Sequence, residues 1–143
     1  MRRMILAWSI MLLIISVALV SYGKMEKTAI SKDNLADLKG KWTGTRTITG
    51  GRGGMQVSNT DLQISSDSLP VQGGFTFYGV QRRGGSETVT VDFKGGKIND
   101  QGNLVIAGSN MEVELSLSKD DGKMQLEGNF FWAGAKGTML LKK

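Results

Sequence analysis

The chain has no cysteine, no histidine and a single proline, Pro70, in 143 residues. Each absence removes a class of protein. Without cysteine there is no disulfide framework, so the fold has to be held by its core alone. Without histidine there is no Ser-His-Asp or Cys-His nucleophile and no imidazole acid or base. With both missing, the usual zinc sites go too. Carboxylate pairs are what remains for acid/base work. Glu112 and Glu114 share one face of a strand pattern, where such a pair is ordinarily solvated charge. Asp120-Asp121-Gly122 lacks the alternating ligand spacing of a calcium loop and reads as a hairpin turn. The expectation is a non-enzyme with no catalytic residues, no metal and no cofactor.

Nucleic-acid and nucleotide signals fail in the same way. Gly50–Gly54 is glycine-rich but lacks the Lys-Ser/Thr and the following helix of a phosphate loop. Arg52-Gly53-Gly54 and Arg83-Gly84-Gly85 look like RNA-tail elements, yet two isolated copies inside hairpin patterns argue against a nucleic-acid partner.

What the chain does have begins at its N-terminus. Arg2 and Arg3 precede the apolar run Ile5–Val20, and Ser21-Tyr22-Gly23 follows it. A basic end, an apolar stretch and small residues at a cut site form a secretory signal. At about 1.5 Å per residue the run spans roughly 24 Å, short of a ~30 Å hydrocarbon core. The expected organisation is a signal peptide over residues 1–23, cleaved after Gly23, and a periplasmic or secreted product. Retention as an anchor is the alternative, and it is the only membrane contact expected. Cleavage removes two of the 18 basic residues and none of the 13 acidic ones, leaving a net charge of +3.

Residues 24–39 read as a polar tether, Lys24–Lys32, followed by one helical turn. Asp33 or Asn34 would cap that turn, and Leu35 and Leu38 would face inward. From Gly40 the hydrophobic period becomes two. Trp42, Gly44, Arg46 and Ile48 share one face of a first strand, and Thr43, Thr45, Thr47 and Thr49 share the other. Further strands follow at Met55–Ser65, Gly74–Arg82, Thr88–Ile98, Asn103–Ala107, Met111–Ser118, Met124–Ala133 and Gly137–Lys142. In the second of these, Met55 and Val57 are in one phase and Leu62 and Ile64 in the other, which suggests a bulge near Asn59-Thr60. In Met111–Ser118, Met111, Val113, Leu115 and Leu117 alternate with polar residues, the pattern of a half-buried strand. Short strands joined by turn-length segments predict an all-β fold over residues 40–143: an antiparallel up-and-down β-barrel of about eight strands.

The segment Asn34-Leu35-Ala36-Asp37-Leu38-Lys39-Gly40-Lys41-Trp42-Thr43-Gly44 resembles the opening of the calycin barrels, the lipocalins and avidins. Those families begin with a short helical turn and then Gly-x-Trp on the first strand, matched here by Gly40 and Trp42. The resemblance implies a barrel whose closed end is plugged by Trp42, and a small-ligand site. Lipocalins usually pack a late-strand Arg across this Trp. The last arginine here is Arg83, so Lys136 or Lys142 would have to take that place.

The expected function is binding of a small apolar or amphipathic molecule, with Trp42, Arg46 and Tyr78 as ligand-binding residues. Arg46 and Tyr78 qualify if their faces point inward. A buried Arg46 needs an acidic partner or an anionic ligand group, unless it reaches water at the barrel mouth. Gly44, Gly79 and Gly128 either leave room for a ligand or mark bends in the wall. The alternative function is an envelope module that binds another protein with its surface and has a filled interior. Phe130-Phe131-Trp132 places aromatics on both strand faces, so one of them is a contact surface unless a bulge turns both inward.

Overall fold

The computed structural model describes residues 25–51, 54–108 and 110–143. The expected signal segment, residues 1–23, lies outside the described residues. The elements are β1 (Glu26–Thr28), a 3-10 turn (Leu35–Leu38), β2 (Gly40–Gly51), β3 (Gly54–Ile64), β4 (Val71–Arg82), β5 (Gly85–Ile98), β6 (Leu104–Ala107), β7 (Met111–Asp120), β8 (Lys123–Trp132) and β9 (Ala135–Lys142). From β2 to β9 each strand pairs antiparallel with the next, and β9 returns to β2. The result is the expected all-β fold, an eight-stranded up-and-down barrel. Closure satisfies the edges that an open sheet would leave unpaired.

The period-two pattern decides which side chains go inside. Trp42 and Arg46 on β2, Thr60, Leu62 and Ile64 on β3, and Phe75 and Phe77 on β4 are all buried. Met111, Val113, Leu115 and Leu117 on β7 are buried as well, while Glu112 and Glu114 between them are exposed. The interior is filled by stacked aromatics. Phe75 lies on Phe77 at 5.6 Å, Phe93 is tilted against Phe75 at 5.6 Å, and Trp132 stacks on Phe77 at 4.4 Å.

Up-and-down connectivity puts the 3-10 turn and the β3–β4, β5–β6 and β7–β8 connections at one end. That end is closed. Leu35 and Leu38 of the 3-10 turn are buried, and the Trp42 indole donates its N–H to the Leu38 carbonyl at 2.8 Å. The Lys143 ammonium sits 5.6 Å from the Trp42 ring and donates to the carbonyls of Asp37 and Lys39. The basic residue laid across Trp42 is therefore Lys143, not Lys136 or Lys142. Lys142 pairs with Thr43 and Gln125 and is exposed, and Lys136 lies at the opposite end beside Phe131.

Three further expectations are corrected. Residues 24–32 are not simply a tether. Glu26–Thr28 pairs with Leu117–Lys119 of β7, just past the stretch Glu112–Leu115 that β6 covers, and Ile30 is buried. Asn34 does occupy the N-cap position, but its side chain serves the chain before it: the amide oxygen accepts from Ser31 N–H and the amide nitrogen donates to Ala29. Finally, no bulge occurs at Asn59-Thr60. The β2–β3 register runs unbroken from Gly40↔Ile64 to Ile48↔Gln56. Met55 and Val57 therefore keep the outward phase and stand 74% and 63% exposed.

Candidate functional site

The other end, the mouth, is framed by the β2–β3, β4–β5 and β8–β9 hairpins and the β6–β7 loop. A solvent-open cavity of about 280 Å³ lies inside it, lined by Arg46, Ile48, Gly79, Val80, Arg82 and Trp132 among others. Its walls are mixed, with Ile48, Val80 and Trp132 beside Gln56, Gln81 and Arg82, and Arg46 brings a guanidinium to it.

Arg46 is 2% exposed. One terminal nitrogen donates to Asn59 O at 2.8 Å and Thr60 Oγ1 at 3.1 Å, and the other donates to Tyr78 O at 2.8 Å. Its Cζ lies 5.3 Å from the Phe77 ring centre. These contacts have a structural logic. The β3–β4 ladder ends at Thr60↔Phe77. Beyond it the two strands fork, and Arg46 bridges the next carbonyl on each side. The bonds use three of the five guanidinium N–H groups, and every acceptor is neutral.

All thirteen acidic residues are among the described residues, and none of the ion pairs there involves Arg46. Burial lowers the Arg46 pKa from its ordinary value, because desolvation disfavours the charged form. An arginine stays ionised even so, so an uncompensated positive charge sits at the base of the cavity. At its rim, Arg82 is already paired with Glu87 at 2.8 Å. Among the described residues no three acidic side chains converge as a metal site would require.

The three residues singled out from sequence are thus scattered. Arg46 is in the cavity. Trp42 is buried at the closed end and does not line it. Tyr78 points outward, 37% exposed, with its hydroxyl donating to Asp61 Oδ2 at 2.8 Å. That bond raises the Tyr78 pKa above its ordinary value. The inward condition set for Tyr78 is not met, because its neighbour Phe77 takes the inner phase. Only its backbone carbonyl reaches Arg46.

The glycines divide as well. A Cβ on Gly44 would meet Leu140 O at 1.9 Å, and one on Gly128 would meet Glu114 O at 1.9 Å. These two mark tight bends where neighbouring backbones approach, and they leave no room for a ligand. Gly79 differs. With φ of +65° it lies in the register shift between Phe77 and Val80, and it lines the cavity. Sequence reasoning missed Ile48, Val80 and Trp132 as walls. Val80 regains the inner phase only because of that shift. Trp132 had a usable signal, since it shares a strand phase with the buried Phe130.

The chain matches no family model, no curated protein and no solved structure, so the site is interpreted on its own geometry.

Proposed function

We propose that the protein is an exported, non-enzymatic barrel of the calycin type that binds a small anionic amphiphile in its mouth. The observation that carries this reading is Arg46, a buried guanidinium without a carboxylate partner, in a cavity whose walls include Ile48, Val80 and Trp132 beside the polar Gln56, Gln81 and Arg82. An anionic group placed there would gain charge-assisted hydrogen bonds from the remaining N–H donors, while Ile48, Val80 and Trp132 would hold its apolar part. Membership among the calycins is supported by the eight-stranded barrel, the 3-10 turn, Trp42 at the closed end and the cation laid across it. Export rests on the N-terminal pattern alone. The size of the cavity points to a short ligand. At ~30 Å³ per water, 280 Å³ equals roughly nine waters, and Phe75, Phe77 and Phe93 fill the barrel below. The same filling supports the second reading, a surface-binding envelope module.

Calorimetric titration with octanoate and with octanol tests the proposal. Octanoate should bind at one site, more tightly than octanol. Arg46→Met should weaken octanoate by about tenfold or more and octanol little, since hydrogen bonds to charged groups contribute about 1.5–3 kcal/mol. Arg46→Lys keeps the charge and should retain part of the affinity. Tryptophan fluorescence checks that both variants fold. Equal loss for the two ligands, or no binding by the native protein, would leave the surface reading in place.

A further inference from the structure

Above Arg46 the barrel wall is split. The β3–β4 ladder stops at Thr60↔Phe77, so the stretch Gly54–Asn59 has a strand partner only in β2 and the stretch Tyr78–Arg82 only in β5. Two strand edges face each other across this fork. Each presents main-chain N–H and C=O groups that no neighbouring strand takes up among the described residues. Met55, Gln56, Val57 and Asn59 on one edge are exposed, as are Tyr78, Gly79, Gln81 and Arg82 on the other. The cavity opens into the fork: Gln56 lines it from β3, and Gly79, Val80, Gln81 and Arg82 line it from β4.

At the foot of the fork lies a buried positive charge. Arg46 donates to the Asn59 and Tyr78 carbonyls and to Thr60 Oγ1, which leaves two of its five N–H groups for a ligand. Asp61 on β3 and Glu87 on β5, which flank the fork, are each paired with a cation, Lys41 and Arg82. Free strand edges call for an extended backbone, and an uncompensated guanidinium calls for an anion. A fatty acid has the anion but no backbone. An internal stretch of polypeptide has the backbone but no charge on its main chain. The last residues of a polypeptide supply both at one point.

We propose that the fork takes the C-terminal residues of another polypeptide as an added strand, with the terminal carboxylate on Arg46. This rests on Arg46 as the anion-binding group of the cavity and narrows the ligand to a peptide tail. Its direction follows from the topology. β4 runs from the closed end to the mouth, and β3 runs the other way. A tail with its carboxylate at the foot of the fork enters from the mouth, antiparallel to β4 and parallel to β3. Antiparallel pairing is the stronger, so Gly79–Arg82 is the edge it takes. Four residues at about 3.3 Å each cover roughly 13 Å, the length of that edge. Alternate side chains would enter the cavity beside Ile48, Val80 and Trp132, and the others would lie on the outer face near Met55 and Val57.

The test is calorimetric titration of the native protein with three N-acetylated tetrapeptides, acetyl-Thr-Val-Thr followed by valine, leucine or phenylalanine. At least one free acid should bind at one site, and its C-terminal amide should bind about tenfold or more weakly, as loss of a charged hydrogen bond requires. N-methylation of the two internal amides should weaken the acid about fivefold, because one of them faces β4 and loses its strand hydrogen bond. The backbone amides of Gly79, Val80, Gln81 and Arg82 should gain protection from hydrogen exchange with the peptide and not with octanoate. Arg46→Met should bring the acid down to the affinity of the amide, and unchanged binding of the amide would show the fork intact. Failure of all three acids to bind, an amide as tight as its acid, or an N-methylated peptide as tight as its parent would overturn the proposal. Octanoate binding that needs Arg46, beside any of those failures, would remove the added strand and leave the cavity reading standing.

Discussion

The two ends of this barrel are built from the same strands and differ in almost everything else. At the closed end the 3-10 turn covers the opening, Trp42 is fully buried beneath it, and Lys143 ties the turn to the last strand. At the mouth two of the ladders stop short. The β3–β4 pairing stops at Thr60↔Phe77, and β5 meets β6 through only Lys97↔Val105 and Ile98↔Leu104. Between β3 and β4 the backbone pairing is replaced by one guanidinium, that of Arg46. The comparison shows where the fold concentrates its stability and where it leaves freedom. The end with more local contacts resists opening, and the end with fewer is where the proposed ligand would enter.

The widest separation between the ends should appear in two tryptophan truncations. Trp42→Ala should cost about 3–5 kcal/mol in denaturant melts, the range for a buried aromatic whose space cannot collapse. Trp132→Ala removes a half-buried ring whose main partner is Phe77, and about 1–2 kcal/mol is expected from its stacking and partial burial. Equal losses would mean that the closed end has no privileged role.

A smaller effect tests the tie itself. Lys143→Met keeps the aliphatic stem over Trp42 and removes the donors to Asp37 and Lys39. It should cost about 1 kcal/mol, the usual net value of an ordinary intramolecular hydrogen bond, since water around the exposed ammonium offsets the gain from its charge. Lys136→Met, at the mouth, should leave the melting curve unchanged.

The smallest effect concerns acid. Glu114 accepts from Asn103 Nδ2 at 2.8 Å and Asn99 Nδ2 at 2.9 Å, which clasps the β5–β6 connection at the closed end. Those bonds hold its carboxyl below the ordinary pKa. A carboxyl depressed in the folded state adds stability above its unfolded pKa, and that stability is lost as pH falls through the folded value. Thermal melts should therefore lose stability as pH drops below about 4.3, and Glu114→Gln should flatten that part of the profile. An unchanged profile would show that the clasp does not contribute.

Much of this molecule was legible from the order of its residues. Alternation of apolar and polar side chains placed all eight barrel strands, and Gly40 and Trp42 marked the first of them. The inner row Met111, Val113, Leu115, Leu117 needed only the two-residue period of a strand. These features are local, and a closed antiparallel barrel obeys local rules. The short turns likewise predicted that sequential strands would be neighbours. Three other features depend on distant partners. β1 became a strand because β6 is short and leaves part of β7 uncovered. Lys143 reached Trp42 because barrel closure returns the last strand to the first. Tyr78 lost its place in the site because Phe77 takes the inner phase and the shift at Gly79 hands the next inward position to Val80. Arg46 belongs to both accounts. The sequence by itself put a charge on the inner face of a strand. Only the tertiary structure decided that this charge lies at the open end without a carboxylate, because counter-charge and cavity are properties of what the folded chain brings near, not of spacing along it.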